Sequence, residues 1–145
     1  MDLRKRVHSD FAFGKILGEG SYSTVMLATE ISTGSLFAIK MLDKRQLMKE
    51  NKVKYVTIEK EVLNALDSQY IVKLFYTFQD TYSLYFALEF AQNGDMLAYI
   101  RERGRLGIEA AVFYSAQILL GIEHMHSKSI IHRDIKPEVK KYTYY

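Results

Sequence analysis

The sequence predicts an α+β fold in which a small antiparallel β-rich lobe precedes a helical one. Three observations predict it. Residues 11–42 alternate apolar and polar side chains with β-branched enrichment, the period of half-buried strands. Residues 53–66 switch to helical spacing before two more apolar runs. After Asn93-Gly94 the texture is helical.

The first strands are read at Phe11-Ala-Phe with Lys15-Ile-Leu, at Ser23-Thr-Val-Met-Leu-Ala and at Leu36-Phe-Ala-Ile-Lys-Met. Ser32-Thr-Gly-Ser is a turn cluster between the last two, so they run antiparallel. Val56, Glu59, Val62, Leu63 and Leu66 form one helical stripe over 53–66. Strands at 71–79 and 83–90 follow, and Leu84-Tyr-Phe-Ala-Leu-Glu-Phe is apolar almost throughout, which predicts an interior position. Ala111, Ser115, Ile118, Ile122 and Met125 recur at alternating steps of four and three, widened by Val112 and Leu119, so 108–127 is a helix patterned for broad cover. The change of texture at 91–95 reads as a hinge, because no Pro/Ser-rich linker separates the lobes. The organisation is thus an extension at 1–10, a small lobe at 11–90, the hinge, and the start of a larger lobe at 96–138.

With 145 residues, 48% hydrophobic and 26% charged, the chain has the composition of a globular domain and excludes collagen, coiled coil and wholesale disorder. It contains no cysteine, which removes disulfides and thiolate metal sites. The start lacks an apolar segment after its charges and no window nears eighteen apolar residues, so no transmembrane segment is expected and the location is read as cytoplasmic or nuclear. Net charge is +3, concentrated at residues 40–60 and at Lys140 and Lys141. For want of interleaved aromatic stacking residues, that run reads as a solvated helical face and not as a nucleic-acid surface.

The chemistry begins at Leu17-Gly18-Glu19-Gly20-Ser21-Tyr22-Ser23-Thr24-Val25. In a dinucleotide fold such a loop opens a helix, whereas Thr24–Ala28 continue as β texture, so this is a hairpin flap whose backbone amides can approach phosphate. Lys40 ends Ala38-Ile39-Lys40 among apolar neighbours, and a lysine there requires a carboxylate partner. Glu59 lies on the inward stripe of the following helix. Glu61 falls about 200° round it and faces solvent. A buried Lys40–Glu59 pair beside the flap would hold an anion. The third element is Ile130-Ile131-His132-Arg133-Asp134-Ile135-Lys136-Pro137-Glu138, where an aspartate can accept a hydroxyl proton and a lysine two residues on can neutralise developing phosphate charge.

Flap, lysine, glutamate and His-Arg-Asp, in that order and spacing, resemble the N-terminal half of a eukaryotic protein kinase domain from about Phe11 to Glu138. Within the kinases the chain is similar to the AGC group and, there, to the phosphoinositide-dependent kinases. Phe13-Gly-Lys-Ile-Leu-Gly-Glu-Gly-Ser-Tyr-Ser-Thr-Val, Lys49-Glu-Asn-Lys-Val-Lys-Tyr-Val-Thr and Val72-Lys-Leu-Phe-Tyr-Thr-Phe-Gln-Asp carry that likeness. Ser23 stands where the third loop glycine is usual, a mark of that subfamily. The resemblance implies a protein-kinase-like small lobe, a five-stranded antiparallel sheet with the family's αC helix at 53–66, followed by the first large-lobe helices.

It also implies roles. Leu17–Val25 would cover ATP, Val25 and Ala38 would sandwich adenine, and Lys40, paired to Glu59, would hold the α- and β-phosphates. Leu88 would be the gatekeeper, Glu89 and Ala91 would offer hinge backbone to adenine, and Asp95 would lie near the ribose. Leu63, Leu74 and His132 match a stacked spine, Asp134 the catalytic base and Lys136 the transition-state cation. A docking groove for a hydrophobic phosphopeptide motif would be lined by Lys44, Met48, Lys60, Thr77, Gln79, Leu84 and Phe86, with Lys60 and Gln79 suited to phosphate. Its partners would be protein substrates, chiefly other AGC kinases.

After Glu138 the pattern stops: Val139 stands where the family has its second magnesium-binding residue, Asn. Asp-Phe-Gly, the activation loop and Ala-Pro-Glu are absent too. The expectation is a domain truncated in its catalytic loop, lacking the ligands for the Mg2+ that the family uses with ATP, and inactive alone. Arg133 would then lack the activation-loop phosphate it normally meets, and the 108–127 stripe would be an exposed patch. Val139-Lys140-Lys141 can be encoded by a run that begins like a splice donor, so a translated intron would account for the divergence. The alternative to a serine/threonine kinase by ancestry is a non-catalytic nucleotide- or phosphopeptide-binding module, a pseudokinase fragment.

Overall fold

In the computed structural model the described residues are 5–92 and 94–135. The chain divides into two compact units, Met1–Glu61 with Leu74–Phe90, and Val62–Lys73 with Ala91–Tyr145.

The first unit is built on a five-stranded antiparallel sheet of β1 (Phe11–Glu19), β2 (Ser23–Glu30), β3 (Leu36–Asp43), β4 (Leu74–Gln79) and β5 (Ser83–Glu89), in the order β1-β2-β3-β5-β4. The expected sheet is present and β5 is interior, as its apolar run required. Successive side chains of a strand face opposite ways and register partners share a face, so the pairings sort the sheet into two surfaces. Val25 pairs Lys40, Lys40 pairs Phe86, Ala38 pairs Leu88, Thr77 pairs Phe86 and Gln79 pairs Leu84. These residues form one face. The other carries the aromatic core of Phe11, Ala28, Phe37, Ile39, Phe78, Tyr85 and Ala87, with Phe13, Met41 and Tyr76 packed on it. Phe11 stacks on Phe78 at 5.2 Å and Phe78 on Tyr85 at 4.7 Å.

The extension ahead of β1 crosses that aromatic face. Arg6 lies over the Tyr76 ring at 5.1 Å, and His8 stacks on Phe13 at 4.5 Å. Arg6 Nε donates to Glu30 Oε1 at 2.6 Å and the Thr33 hydroxyl donates to Oε2 at 2.6 Å. These contacts satisfy a carboxylate that is almost wholly buried. No sequence pattern announces a pair 24 residues apart.

Two helices follow β3: α1 (Lys44–Lys49) and α2 (Val53–Ala65). The helix at 53–66 is as expected. The short α1 was not foreseen, although Asp43-x-x-Gln46 is an N-cap signature and Asp43 Oδ1 accepts from Gln46 N at 2.8 Å. Asn51 closes α1 at φ 53°, a left-handed position that asparagine tolerates. Tyr55 is an exposed aromatic within the basic run, and the Lys52 ammonium sits over its ring at 4.9 Å.

In the second unit α3 (Met96–Arg103) and α4 (Ile108–Ser127) carry the helical texture. Tyr99 and Tyr114 meet edge to face at 5.9 Å. The core is Leu66, Ile71 and Met125, with Val62 and Ile130 against it. β4 therefore begins at Leu74 and not at 71: Ile71 spends its apolar side chain on α4, and a loop packs there instead of a strand. The loop comes close to α4 at Gly121, where a Cβ would lie 3.4 Å from the Tyr70 carbonyl. The expected stripe on α4 is only partly the exposed patch. Ile118 and Ile122 are half-buried and Met125 is buried, while Ile108, Val112, Phe113, Leu119 and Leu120 are exposed.

Candidate functional site

The flap is a β-hairpin, as the continuing β texture required. Gly18 pairs Val25 and Glu19 pairs Thr24, and the Gly20 N–H closes the tip on the Ser23 carbonyl at 2.7 Å. The tip lies close in: a Cβ on Gly20 would stand 3.0 Å from the Ser23 hydroxyl. A side chain at Gly20 would therefore need the Ser23 hydroxyl to move aside, and no positive φ is involved. Leu17 and Gly18 are half-buried, Ser21 is exposed, and Tyr22, Ser23 and Thr24 are half-buried.

On β3, Lys40 Nζ donates to both carboxylate oxygens of Glu59, at 2.6 and 2.9 Å. The stripe argument chose the right acid, and Glu61 is exposed. The pair is less enclosed than expected. The Lys40 side chain is 11% exposed but that of Glu59 is 37% exposed, because one wall of Glu59 opens to solvent. Val25, Ala38 and Leu88 are buried on the same sheet face, an apolar surface leading to a charged one. Glu89 ends β5, exposed.

The groove residues share that face or its flanking helices. Thr77 and Leu84 are half-buried, Gln79 and Lys60 exposed, and Met48 on α1 stands out in solvent. Phe86 is buried. The Lys44 ammonium donates to the Asp80 carbonyl and so anchors α1 to the β4–β5 turn. In that turn Asp80 accepts from Tyr82 N and Ser83 N, each at 2.8 Å, and from the Tyr85 hydroxyl at 2.7 Å. The Tyr85 hydroxyl above all, then these two amides, hold the Asp80 carboxyl below its ordinary value. Burial first, and Asp80 second, push the Tyr85 phenol up.

In the second unit Asp95 caps α3, accepting from Ala98 N at 2.6 Å, so its carboxylate is committed to a helix start. Ala91, Leu63 and His132 are half-buried, as is Leu74 in the first unit. α4 leads into the His132-Arg133-Asp134 segment through a Schellman turn: Ile130 N donates to the Met125 carbonyl and Ser129 N to that of His126, each at 2.9 Å. Ile130 then packs with Met125, completing the motif's apolar contact. Ser129 holds the left-handed position at φ 58°, where glycine is the unstrained choice. His132 Nδ1 accepts from Asp134 N at 3.2 Å, and Arg133 sits at φ 69°. Burial lowers the His132 pKa against the opposing pull of the Asp134 carboxylate. Asp134 itself is exposed. Lys136 lies outside the described residues.

The protein kinase domain family matches residues 11–139. This chain belongs to that family. It is 53% identical over 135 residues to the human putative 3-phosphoinositide-dependent protein kinase 2 and, at the same identity, to human 3-phosphoinositide-dependent protein kinase 1. It is 56% identical to the Schizosaccharomyces pombe serine/threonine-protein kinase ksg1. The alignments take in 92–93% of this chain but 34%, 24% and 23% of those relatives respectively. The likeness to the phosphoinositide-dependent branch expected from the three quoted stretches is borne out.

Two tests of fit to the kinase cofactors follow from the geometry. For the nucleotide, backbone amides at a hairpin tip and the paired Lys40 are groups of a kind that bind phosphate oxygens. For magnesium, no group of three or more His, Asp or Glu among the described residues could hold a metal ion.

Proposed function

We propose that the chain is the nucleotide-gripping part of a serine/threonine kinase domain of the phosphoinositide-dependent type, and that these 145 residues by themselves bind ATP without transferring its γ-phosphate. The observation that carries the reading is the two-oxygen grip of Glu59 on Lys40, on the sheet face shared by Val25, Ala38 and Leu88. The grip keeps the Lys40 side chain in one place, where an anionic ligand would meet it. Adenine would stack against Val25 and Ala38, bounded by Leu88, with Glu89 and Ala91 backbone at its edge. Asp134 would be the base of the complete enzyme and Lys136 its charge partner.

A second ligand is a phosphorylated, hydrophobic peptide, favoured by the exposed Met48 beside Lys60, Gln79, Thr77 and Leu84. Substrates would be other AGC kinases, met in the cytoplasm or nucleus. No helix among the described residues is long and apolar enough to cross a membrane.

Radiolabelled ATP transfer to a protein substrate, run beside ATP titration, tests the reading. Binding without transfer supports it. Transfer by this chain overturns the inactivity, and absence of ATP binding overturns the site.

A further inference from the structure

Two consecutive carbonyls at the flap tip are held at the junction of β3 and α1, one by Asp43, the last residue of β3 and N-cap of α1, and one by Gln46 of α1. Asp43 N donates to the Tyr22 carbonyl at 3.1 Å, and Gln46 Nε2 donates to the Ser21 carbonyl at 3.3 Å. The two holders are themselves joined, since Asp43 Oδ1 caps the Gln46 N–H. From its other side α1 is fixed to the β4–β5 turn, where Lys44 N donates to the Tyr82 carbonyl at 2.9 Å and its ammonium to that of Asp80. α1 is therefore braced, and what it grips is the otherwise free end of a hairpin.

Peptide planarity gives the grip a consequence. A trans peptide sets the C=O of one residue opposite the N–H of the next. Drawing the Ser21 carbonyl toward α1 turns the Tyr22 N–H away from it. We propose that Gln46 is a positioning residue for nucleotide phosphate: its side-chain amide orients the Ser21–Tyr22 peptide so that the flap presents an N–H, and not a carbonyl oxygen, to the anion. This rests on the nucleotide reading given above. Without the tether the peptide can flip, and a carbonyl turned toward phosphate repels it.

The test is titration of the 145-residue chain with ATP and, separately, with adenosine. Gln46→Met keeps the length and removes the donor. It should weaken ATP about fivefold to tenfold, the scale of one net hydrogen bond, and leave adenosine affinity unchanged. Gln46→Asn keeps an amide one methylene too short to reach Ser21, and should show the same split if the methionine variant fails to fold. In both, amide exchange at Asp43, whose N–H is held by the Tyr22 carbonyl, should quicken while that at Ile39 does not. A parent chain that binds ATP, with variants that match it or that lose ATP and adenosine in parallel, overturns the proposal. A parent that binds no ATP overturns the nucleotide reading and this proposal with it.

Discussion

The two faces of the sheet each carry one ion pair with a 2.6 Å contact, and the pairs are built to opposite ends. On the aromatic face Arg6 and Glu30 are 10% and 2% exposed, with Thr33 on the second carboxylate oxygen and Tyr76 beneath the guanidinium. Both carboxylate oxygens of that pair are used inside the protein. On the helix-covered face Lys40 is enclosed, but Glu59 keeps over a third of its side chain in water. The first pair is closed on both partners, whereas the second leaves its carboxylate partly in water. The difference is one of burial and not of bond length.

The largest expected effect is on the closed pair. Arg6→Met leaves a buried carboxylate uncompensated and should cost about 3 kcal/mol, read as a lower urea midpoint in far-UV circular dichroism. An unchanged midpoint would break the comparison. Lys40→Met should instead cost under about 1 kcal/mol, because Glu59 stays solvated. Its loss should appear in ATP affinity, reduced at least about tenfold, or about 1.4 kcal/mol. If the two substitutions swapped readouts, the assignment of the faces would be reversed.

A substitution off both faces calibrates them. Ser129→Gly relieves a left-handed residue and should stabilise by about 0.5–1 kcal/mol, seen as a higher melting temperature with ATP affinity unchanged. The smallest effect belongs to Tyr85→Phe. The Asp80 pKa is depressed in the folded chain, so its contribution is present above the ordinary value of 3.8 and is lost as pH falls through the lowered one. Removing the hydroxyl should bring acid-induced loss to higher pH. The Tyr85 pKa is raised, so its contribution holds below 10.0 and is lost as pH rises through the folded value. The phenylalanine variant should be flat across that alkaline range in a pH series of melts.

Much of this was legible before the structure. The stripe through Val56, Val62 and Leu63 chose Glu59 over Glu61, and β texture after Thr24 separated a hairpin flap from a helix-opening loop. What could not be read is instructive. Ile71-Val72 has strand composition, yet its burial is taken by α4 across Gly121, so β4 starts late. α1 was signalled by Asp43-x-x-Gln46 but is too short for periodicity to show. Asp95 bears a helix cap, which a ribose role read from resemblance did not suggest.

By itself the sequence determined the strand set, the long helices, the order of the chemistry-bearing residues and the kinase kinship, because periodicity and motif spacing are local and linear. Only the tertiary structure decided that Arg6 reaches Glu30, that Gln46 holds Ser21, and that Lys40–Glu59 is half open. Such contacts join residues about 20–25 apart or more, and their burial depends on which element happens to cover them, a property of packing that no single stretch of chain encodes.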